Sequence, residues 1–294
     1  MEVSIVIPNF NGEELLRENL PYVLAAMGKA SNQIREIIVV DDGSTDASVK
    51  ILKEQFPSVK VIKHKVNRGF SAAVNTGVRM SKGELVVLLN TDVKPESNFL
   101  NAIFKHFNDE SVFAVSLHEQ GFGWARGFFE DGFIVHKPAE ETTSSHKTFW
   151  VNGGSGVFSR KIWMDLGGMD EKLLSPLYWE DLDISYRALK RGYKLFWEPD
   201  AKVIHEREST VSKLPKRYIS NIQERNQLLF IWKNLTSSNL FKKHLVGLAK
   251  RVVRHPGYIK IVFMALGRIK EVLKARRKEE KEAKISDEMI FSSF

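Results

Sequence analysis

The 294-residue chain contains no cysteine. This absence excludes disulfides, thiolate zinc sites, iron–sulfur clusters and cysteine nucleophiles, and it fits a reducing compartment. The sequence also has no run of about 18 uninterrupted apolar residues, so we expect no membrane-spanning helix. Its N-terminus passes directly into an apolar strand pattern, which does not resemble a secretory signal. Any metal chemistry must therefore use oxygen and histidine ligands.

Two common phosphate-binding loops are missing as well. Gly69 follows Asn67-Arg68 and opens a predicted helix, whose first amides could face an anion. The segment lacks the full glycine spacing of a dinucleotide-binding loop, and no Walker-type lysine follows it. Dinucleotide-dependent oxidoreductases and P-loop enzymes are therefore disfavoured.

Acidic side chains are scarce in the last quarter of the chain. The overall net charge is +8, but residues 1–210 carry 25 basic and 29 acidic side chains, whereas residues 211–284 carry 19 and 5. The hydrophobic content of 43% is that of a folded globular protein. We therefore predict two regions, an α/β unit over residues 1–210 and a basic helical extension over residues 211–294.

Short apolar runs alternate with helix-period segments over the first hundred residues. The predicted strands are Val3–Pro8, Glu36–Val40, Val59–Lys63 and Glu84–Leu89. The predicted helices between them are Glu13–Met27, Thr45–Phe56 and Ser71–Met80, with Ser44 or Thr45 as the N-cap of the second. This order predicts an α/β fold with a mostly parallel central sheet flanked by helices.

The later part of the chain is predicted to be mixed and then helical. Strands or a hairpin and a flexible loop are expected between residues 111 and 158. The further predicted elements are a helix at Trp179–Arg191, strands at Tyr193–Trp197 and Lys202–His205, and helices at Lys216–Leu235, Asn239–Arg254 and from Tyr258 towards Lys284.

Polar residues follow each predicted parallel strand. These segments are Asn9-Phe10-Asn11, Asp41-Asp42-Gly43-Ser44, Asn67-Arg68-Gly69 and Asn90-Thr91-Asp92. Ligands of such sheets bind beyond the carboxyl ends of the strands, so four polar segments there favour a site over ordinary turns. Asp92 is a candidate ligand for Mg²⁺ or Mn²⁺. On spacing alone, Asn90 and Asp92 fit equally well as caps of a helix beginning near Pro95.

A second acidic cluster, Glu180-Asp181, follows two aromatic residues at the start of a predicted helix. Asp181 beside apolar groups could have its proton affinity tuned for general-base work. The alternative is that these acids only complement the helix dipole. His205 is either a further metal ligand or a surface histidine.

Several segments together resemble family 2 glycosyltransferases with the GT-A fold. VSIVIPNFNG, VVDDGSTDAS, NRGFSAAVNTG and LLNTDV are similar, in order and spacing, to the nucleotide-binding half of that family. FWVNGGSGVFSR and YWEDLDISYRALKRGYKL resemble the acceptor-side half, and VIHERES resembles the late histidine motif. The resemblance covers about residues 3–235. Bacterial rhamnosyltransferase-like members look most similar, because they often carry asparagine at the position of Asn90 and continue into a segment like ERNQLLFIWKNL.

The resemblance implies a role for each matching residue. It places Pro8, Phe10 and Asn11 in the base pocket, Asp41 on the pyrimidine, Asp42 and Asn67 near base or ribose, Gly69, Asn90 and Thr91 along the nucleotide sugar, and Asp92 and His205 on a divalent cation. For the acceptor or sugar pocket, Gly153 and Gly154 would allow close backbone approach or form a β-bulge, and Trp150 and Trp179 would stack on sugar faces or belong to the core. Asp181, beside Glu180, would be the general base. Asn90 replaces the first acid of the Asp-x-Asp motif, and an amide binds cations more weakly. Asn75 stands where many relatives carry arginine, leaving the diphosphate one counter-charge fewer.

The implied reaction is a single displacement with inversion. The donor would be a UDP- or dTDP-linked sugar such as rhamnose, and the acceptor a glycan or lipid-linked hydroxyl in cell-surface polysaccharide synthesis. Two alternatives stay open. Asn90 would also fit a nucleotide- or carbohydrate-binding module that has lost catalysis. A nucleotidyltransferase would share the α/β start, but Pro8–Gly12 lacks the glycine-rich basic loop expected after its first strand.

The basic extension allows three interpretations. A nucleic-acid surface is disfavoured, because the preceding region is net acidic and no aromatic–basic binding motif accompanies the extension. It could instead be a helical cap that shows its charge to solvent. We favour peripheral association with the inner, cytoplasmic face of the cell membrane, with lysines against anionic lipids. The apolar arc proposed to insert comprises Ile259, Ile261, Val262, Phe263, Leu266, Ile269, Val272 and Leu273. The same helices could also join an oligomer.

Overall fold

A computed structural model describes residues 1–205 and 215–294. The strands are β1 (Val3–Asn9), β2 (Ile34–Asp41), β3 (Lys60–Lys63), β4 (Leu85–Leu89), β5 (Val93–Pro95), β6 (Val112–Glu119), β7 (Ala125–Glu130), β8 (Phe133–Pro138), β9 (His146–Lys147), β10 (Ser155–Ser159) and β11 (Lys194–His205). The helices are α1 (Glu13–Met27), α2 (Ser48–Gln55), α3 (Phe70–Met80), α4 (Arg160–Leu166), α5 (Glu180–Lys190), α6 (Lys216–Asn234), α7 (Ser238–Arg254), α8 (Ile259–Leu266), α9 (Ile269–Glu282) and α10 (Asp287–Phe291).

The first four strands form the parallel half of the main sheet. Their order is β3-β2-β1-β4, and each neighbouring pair is parallel, as predicted. Residues of β1 and β4 and the last five residues of β2 are buried at nearly every position, because helices cover both faces of the sheet. The carboxyl ends of these strands therefore meet at one edge, where the polar segments lie.

Beyond β4 the sheet becomes mixed. The order continues β10-β6-β11-β5; β10 runs antiparallel to both β4 and β6, and β11 runs parallel to β6. The chain reaches β10 after a separate hairpin of β7 and β8, so no crossover helix fixes a parallel direction there. The mostly parallel arrangement thus holds for the first half of the sheet, within a fold of the predicted α/β type.

Two predicted helix starts are wrong. Helix α2 begins at Ser48, not near Thr45, because Ser44 and Thr45 are engaged by Asn11 in the neighbouring loop. No helix begins near Pro95; residues 93–95 form β5 and pair with the end of β11. The alternative that Asn90 and Asp92 cap a helix is therefore excluded. The two short strands expected between residues 193 and 205 are one strand, β11.

The C-terminal helices pack against the α/β part instead of standing apart. Helix α6 is buried along Leu228–Trp232 and contacts α8 and α9. Its apolar side chains share one core with Phe149 of the loop before β10 and Tyr186 of α5. The predicted third helix is interrupted at Gly267-Arg268, giving α8 and α9. The predicted boundary between residues 210 and 211 lies outside the described residues, as do residues 206–209 of the late histidine motif.

Buried ion pairs fasten these helices to α5. Asp183 of α5 contacts Arg187 at 2.8 Å and Lys233 of α6 at 2.9 Å. Burial raises the pKa of Asp183, but Lys233 and Arg187 outweigh it and bring the pKa down to about 2. Asp287 of α10 likewise accepts from Lys190 at 2.7 Å and from Tyr186 at 2.7 Å. None of the described helices has the length and hydropathy needed to cross a membrane.

Candidate active site

The loops after β1 and β2 are tied together by side-chain hydrogen bonds. Asp41, which has no exposed surface, accepts from Asn9 Nδ2 at 3.1 Å and from Ser44 N at 3.2 Å. Asn11 accepts from Thr45 N at 2.8 Å through its Oδ1. The carboxylate proposed to contact a pyrimidine is thus an internal acceptor in this conformation, and a base would reach it only if its neighbours moved.

Asp42 holds the loop before α3. Its carboxylate accepts from Arg68 N at 3.0 Å and Gly69 N at 2.7 Å, and it contacts His64 Nδ1 at 2.6 Å. The amide of Gly69 thus already faces an anionic group, the carboxylate of Asp42, and the expectation that the first amides of α3 face a bound anion stays a prediction. Gly69 has a φ of +90°, a backbone conformation that favours glycine.

The remaining residues of the predicted base pocket lie at the rim of these loops. Pro8 and Phe10 are half-buried, whereas Asn11 and Asn67 are exposed. They lie at the carboxyl edge of β1 and in the loop held by Asp42, so the structure brings them to the same side of the sheet. Their contacts with a nucleotide stay predictions.

Asn75 has a structural contact that explains its departure from the family pattern. Its amide donates to Met169 O at 2.8 Å and accepts from Met169 N at 3.0 Å. The side chain is buried and fastens α3 to the turn after α4. It therefore binds protein backbone and does not replace a cation beside the donor.

The segment after β4 is fitted closely to the strand beside it. Asn90 N donates to Gly154 O at 2.8 Å, and a Cβ on Gly154 would lie 2.3 Å from Asn90 Nδ2. Only glycine allows this approach. Thr91 is half-buried, and its carbonyl accepts from Asn19. These contacts fix the turn that presents Asp92.

His205 lies between two carboxylates at the edge of the sheet. Its Nε2 is 3.2 Å from Asp92 Oδ1, and its Nδ1 is 3.1 Å from Glu119 Oε2. Burial opposes protonation of His205, but its bonds to Asp92 and Glu119 outweigh burial and raise its pKa to about 9. His205 is therefore not a simple surface histidine.

Glu119 was missed by the sequence analysis. It accepts from Ser155 Oγ at 2.5 Å and Asn152 Nδ2 at 3.1 Å, besides contacting His205. The available signal was its place at the end of the apolar run Val112–Leu117, since β6 and β11 are parallel and end at one edge.

Asp92 and His205 fit a divalent cation that also binds substrate. Within residues 1–205 and 215–294, no group of three or more histidine and carboxylate side chains is arranged to hold a metal. The Asp92 and His205 ligand atoms, 3.2 Å apart, match neighbouring corners of a site with metal–ligand distances of about 2.1 Å. Magnesium is commonly bound by one or two carboxylates together with substrate phosphates.

Asp181 and Glu180 form the second acidic group, at the start of α5. Asp181 accepts from Leu182 N at 2.8 Å and Gly153 N at 3.4 Å. Burial raises the pKa of Asp181 to about 6. Burial and the neighbouring charge of Asp181 raise the pKa of Glu180 to about 8. Acids that only complement a helix dipole have lowered pKa values. The raised pKa values of Asp181 and Glu180 therefore disfavour that alternative.

The backbone before α5 is strained. Tyr178 and Trp179 have φ values of 70° and 77°, which bulky side chains rarely adopt. Packing and hydrogen bonds hold this strained backbone in place. The ring centroids of Trp179 and Phe230 are 5.2 Å apart, and the amide of Asn226 donates to Leu177 O and Tyr178 O. Such strain often occurs at functional sites.

A cavity of about 510 Å³ opens beside Asp181. Trp150 and Trp179 line it, together with His136 and Asn152, and Gln223, Glu224 and Gln227 of α6 form the facing wall. A second cavity of about 290 Å³ shares His136, Trp150 and Asn152 and adds Trp124 and Trp197. Indole faces are suitable for stacking on sugar rings. The α6 residues and His136 were not predicted, because only folding brings them to Asp181.

Comparison with known proteins supports the fold and the family. The model of glycosyl transferase family 2 matches residues 4–162, and that of glycosyl transferase family group 2 matches residues 85–269. The structure is similar to GalNAc-T7 with UDP, GalNAc and Mn²⁺, at a TM-score of 0.62 and 18% identity over 87% of this chain and 58% of that one. A mannosyltransferase from Pyrobaculum calidifontis, in complex with GDP-Man and Mn²⁺, gives 0.56 and 17% over 95% and 84%.

Relatives by sequence carry glycosyltransferase names. The pre-mycofactocin glycosyltransferase of Mycobacterium tuberculosis is 29% identical over 70% of this chain, which spans 43% of its length. The N-acetylglucosaminyl-diphospho-decaprenol L-rhamnosyltransferase of the same species is 22% identical over 69% of this chain and 76% of its own. With a family model that matches more than half of its residues, the chain belongs to glycosyl transferase family 2.

Proposed function

We propose that this chain is an inverting glycosyltransferase that transfers a sugar from a nucleoside diphosphate to an acceptor hydroxyl. One observation carries the proposal. The adjacent glycines 153 and 154 connect the two acidic regions, since Gly153 N donates to Asp181 and Gly154 O accepts from Asn90 N. A basic carboxylate therefore lies beside the turn that bears Asp92.

Asp181 is the general base. Burial raises the pKa of both acids. Asp181 accepts from two backbone amides, which favour its charged form, whereas Glu180 Oε2 has no partner among the described residues, so Asp181 is the ionised member of the pair at neutral pH. Asp181 removes the proton of the acceptor hydroxyl while that oxygen bonds to the anomeric carbon. The bond from this carbon to the diphosphate oxygen breaks, and the nucleoside diphosphate departs from the opposite face. One displacement without an enzyme nucleophile inverts the anomeric centre.

Asp92 and His205 would hold the divalent cation. When bound, such an ion neutralises charge that develops on the leaving diphosphate. The Mn²⁺ in GalNAc-T7 and in the Pyrobaculum enzyme supports a divalent ion for this fold. The carboxylate oxygen of Asp92 suits both Mg²⁺ and Mn²⁺, and His205 would have to release the proton that Asp92 and Glu119 stabilise before its imidazole could bind the ion.

The relatives and the cavity support a class of donor and a class of acceptor. We propose a UDP- or dTDP-linked sugar, with rhamnose supported by the mycobacterial L-rhamnosyltransferase. A glycan or lipid-linked acceptor in cell-surface polysaccharide synthesis is supported by that relative and by an undecaprenyl-phosphate sugar transferase of Pseudomonas fluorescens, 40% identical over 47% of this chain. The acceptor sugar would occupy the cavity between Trp150 and Trp179.

A panel of nucleotide sugars tests the enzyme directly. We expect thermal stabilisation by a UDP- or dTDP-sugar with Mn²⁺, slow donor hydrolysis, and faster nucleoside diphosphate release when an acceptor glycan is added. Stabilisation without any hydrolysis or transfer would instead support a binding module, the alternative favoured by Asn90. If no nucleotide sugar stabilises the protein, both the glycosyltransferase and the binding module are contradicted.

We also propose peripheral binding to an anionic membrane through α8. Ile259, Phe263 and Leu266 are 43%, 66% and 43% exposed and lie on one face, at the spacing i, i+4, i+7. Lys260 and Lys270 are exposed beside them. The predicted insertion arc is partly wrong, because Ile261 and Val272 are buried against the protein core.

Co-sedimentation with phosphatidylglycerol vesicles at low salt tests this surface. Phe263→Ser should weaken binding about 30-fold, because an inserted phenyl ring contributes about 2 kcal/mol. Tyr22→Ser, which changes a half-exposed aromatic on α1, is the matched control. Wild-type protein that stays in the supernatant excludes the surface.

A further inference from the structure

A basic groove of about 750 Å³ lies between the β7–β8 turn and α7. One wall is formed by the turn residues Asp131 and Gly132 with Phe133. The other wall belongs to α7 and carries five cations: Lys242, Lys243, Lys250, Arg251 and Arg254. Neither the catalytic proposal nor the membrane surface uses these residues.

Close contacts at the floor of the groove fix the spacing between its two walls. A Cβ on Gly247 would lie 2.2 Å from Asp131 O, so only glycine lets the turn approach α7. His244 Nδ1 lies 2.7 Å from Gly132 O, and Trp232 Nε1 donates to His244 Nε2 at 2.9 Å. Because Nε2 is the acceptor, Nδ1 carries the proton and donates to Gly132. These contacts fix the distance between the two walls.

Four of the cations have no internal partner. Across residues 1–205 and 215–294, Lys242, Lys243, Lys250 and Arg254 form no ion pair, whereas Lys233 of α6 contacts both Asp170 and Asp183. Asp131 is the one carboxylate among the residues that line the groove. Five cations facing one carboxylate create a positive potential that suits a multiply charged anion. Lys242 and Arg254 span about 18 Å of helix, at about 1.5 Å per residue, enough for more than one phosphate.

Arg251 connects this groove with the cavity beside Asp181. Its guanidinium carbon lies 3.5 Å from the centroid of Phe133, and its Nη1 lies 3.4 Å from Glu224 Oε2 and 3.5 Å from Gln227 Oε1. Glu224 and Gln227 also line the 510 Å³ cavity that contains Asp181. A single row of side chains therefore separates the two spaces.

We propose that the groove binds the phosphate groups of the acceptor while its hydroxyl-bearing sugar lies in the cavity beside Asp181. The proposal rests on the proposed function and names the substrate class: an acceptor that carries a diphosphate or phosphodiester next to the accepting sugar. The cations of α7 hold the phosphates, and Arg251 lies where phosphate and sugar join. A neutral glycan would leave these charges without a partner.

Calorimetry with inorganic pyrophosphate, without divalent cations, tests the groove. Lys250→Ala/Arg254→Ala should weaken binding about tenfold, since two exposed charge contacts with the anion are lost. Lys50→Ala/Lys53→Ala removes the same charge from exposed positions of α2 outside the groove and should leave pyrophosphate affinity unchanged. Both pairs lack ion-pair partners among the described residues, so both proteins should fold. Wild-type protein that does not bind pyrophosphate, or equal losses in both variants, overturns the proposal.

Two further arms separate the possible sources of phosphate and the two proposals. If Lys250→Ala/Arg254→Ala weakens binding to phosphatidylglycerol vesicles but not to pyrophosphate, the groove contacts lipid headgroups and the acceptor assignment is wrong. Hydrolysis of a nucleotide sugar without acceptor tests the donor site alone and should be equal in wild type and groove variant. If the protein binds pyrophosphate but never hydrolyses a nucleotide sugar, the proposed glycosyltransferase activity is wrong and the anion-binding groove stands. If it hydrolyses a nucleotide sugar but does not bind pyrophosphate, the groove proposal is wrong and the proposed activity stands.

Discussion

Two pairs of consecutive acids, Asp41-Asp42 and Glu180-Asp181, lie in the same candidate site but in opposite surroundings. The first pair is supplied with donors: Asp41 accepts from Asn9 and Ser44, and Asp42 from the amides of the loop before α3. In the second pair, Asp181 accepts from two amides, and Oε2 of Glu180 is buried without a partner among the described residues.

Asp41 and Asp181 each accept two hydrogen bonds, so the contrast between the pairs is largest between Asp42, with several donors, and Glu180, with an unpartnered oxygen. Carboxylates that accept several backbone bonds stabilise the loops they join and stay in place. Carboxylates that are buried with few donors keep their protons more tightly, and the pKa values of Asp181 and Glu180 rise to about 6 and 8. The first pair therefore joins loops at the proposed donor edge, and the second is the pair that we propose to be reactive.

The largest effect should come from Asp181→Asn. The amide keeps an acceptor for Leu182 N but cannot take a proton, so transfer to an acceptor should fall about 10³-fold, within the range of general-base catalysis. Donor binding should be unchanged, because Asp41-Asp42 and Asp92 are untouched. The rate of nucleoside diphosphate release and the donor dissociation constant, measured together, check both statements.

The stability of the same variant provides its control. Burial disfavours the charged form of Asp181, which favours the neutral amide, whereas the amide N–H that faces Gly153 N opposes it. The free energy of unfolding should therefore change by no more than about 1 kcal/mol. A melting temperature lowered by several degrees would mean that Asp181 is scaffold, and the contrast with Asp41-Asp42 would disappear.

Asp42→Asn should show the opposite behaviour, with loss of stability. The amide presents N–H groups to Arg68 N and Gly69 N, which are donors themselves, so buried donors lose their acceptor. We expect a loss of about 1–3 kcal/mol in the free energy of unfolding in urea. Asp165→Asn makes the same chemical change at an exposed position and should cost nothing measurable. Equal stability of the two variants would show that the loop does not depend on Asp42.

The sequence predicted the donor half well because its signals are local. Buried runs such as Val3–Ile7 and Leu85–Leu89 mark strands covered on both faces, and the bounds of α1 are the predicted ones. Because the carboxyl ends of parallel strands meet at one edge, the sequence also predicts that the polar segments after these strands lie together. The bonds that make Asp42 a scaffold were not visible, because they join residues of three different segments.

The acceptor half depends on pairings distant in sequence, and prediction was poorer there. The antiparallel place of β10 and the joining of β11 into one strand depend on neighbours that periodicity does not reveal. Glu119 and His205 meet only when β6 and β11 pair. The break at Gly267-Arg268 divides an amphipathic pattern that looked continuous, so one part of its apolar face packs inside and the other is exposed.

The pH dependence of stability tests the second pair through Glu180→Gln. Folding raises the pKa of Glu180 from about 4 in the unfolded chain to about 8, so the folded state binds the proton more tightly. The free energy of unfolding should therefore fall as pH rises from about 4 to 8, and the variant should lack this part of the decrease, on the order of 1–3 kcal/mol. Urea unfolding of both proteins at pH 5 and 8 measures the difference. Parallel curves would mean that Glu180 titrates as it does in water.

The smallest expected effect concerns Asn90, the position where the donor edge departs from the family pattern. Asn90→Asp adds a carboxylate two residues before Asp92, in the turn fixed by Gly154. A second hard anionic ligand should tighten Mn²⁺ binding several-fold, as followed by the electron paramagnetic resonance signal of free Mn²⁺. Asn67→Asp adds the same charge on an exposed loop at the same rim and should change Mn²⁺ affinity much less. Equal gains in both variants would mean that the ion responds to the general charge of the edge and not to the turn that bears Asp92.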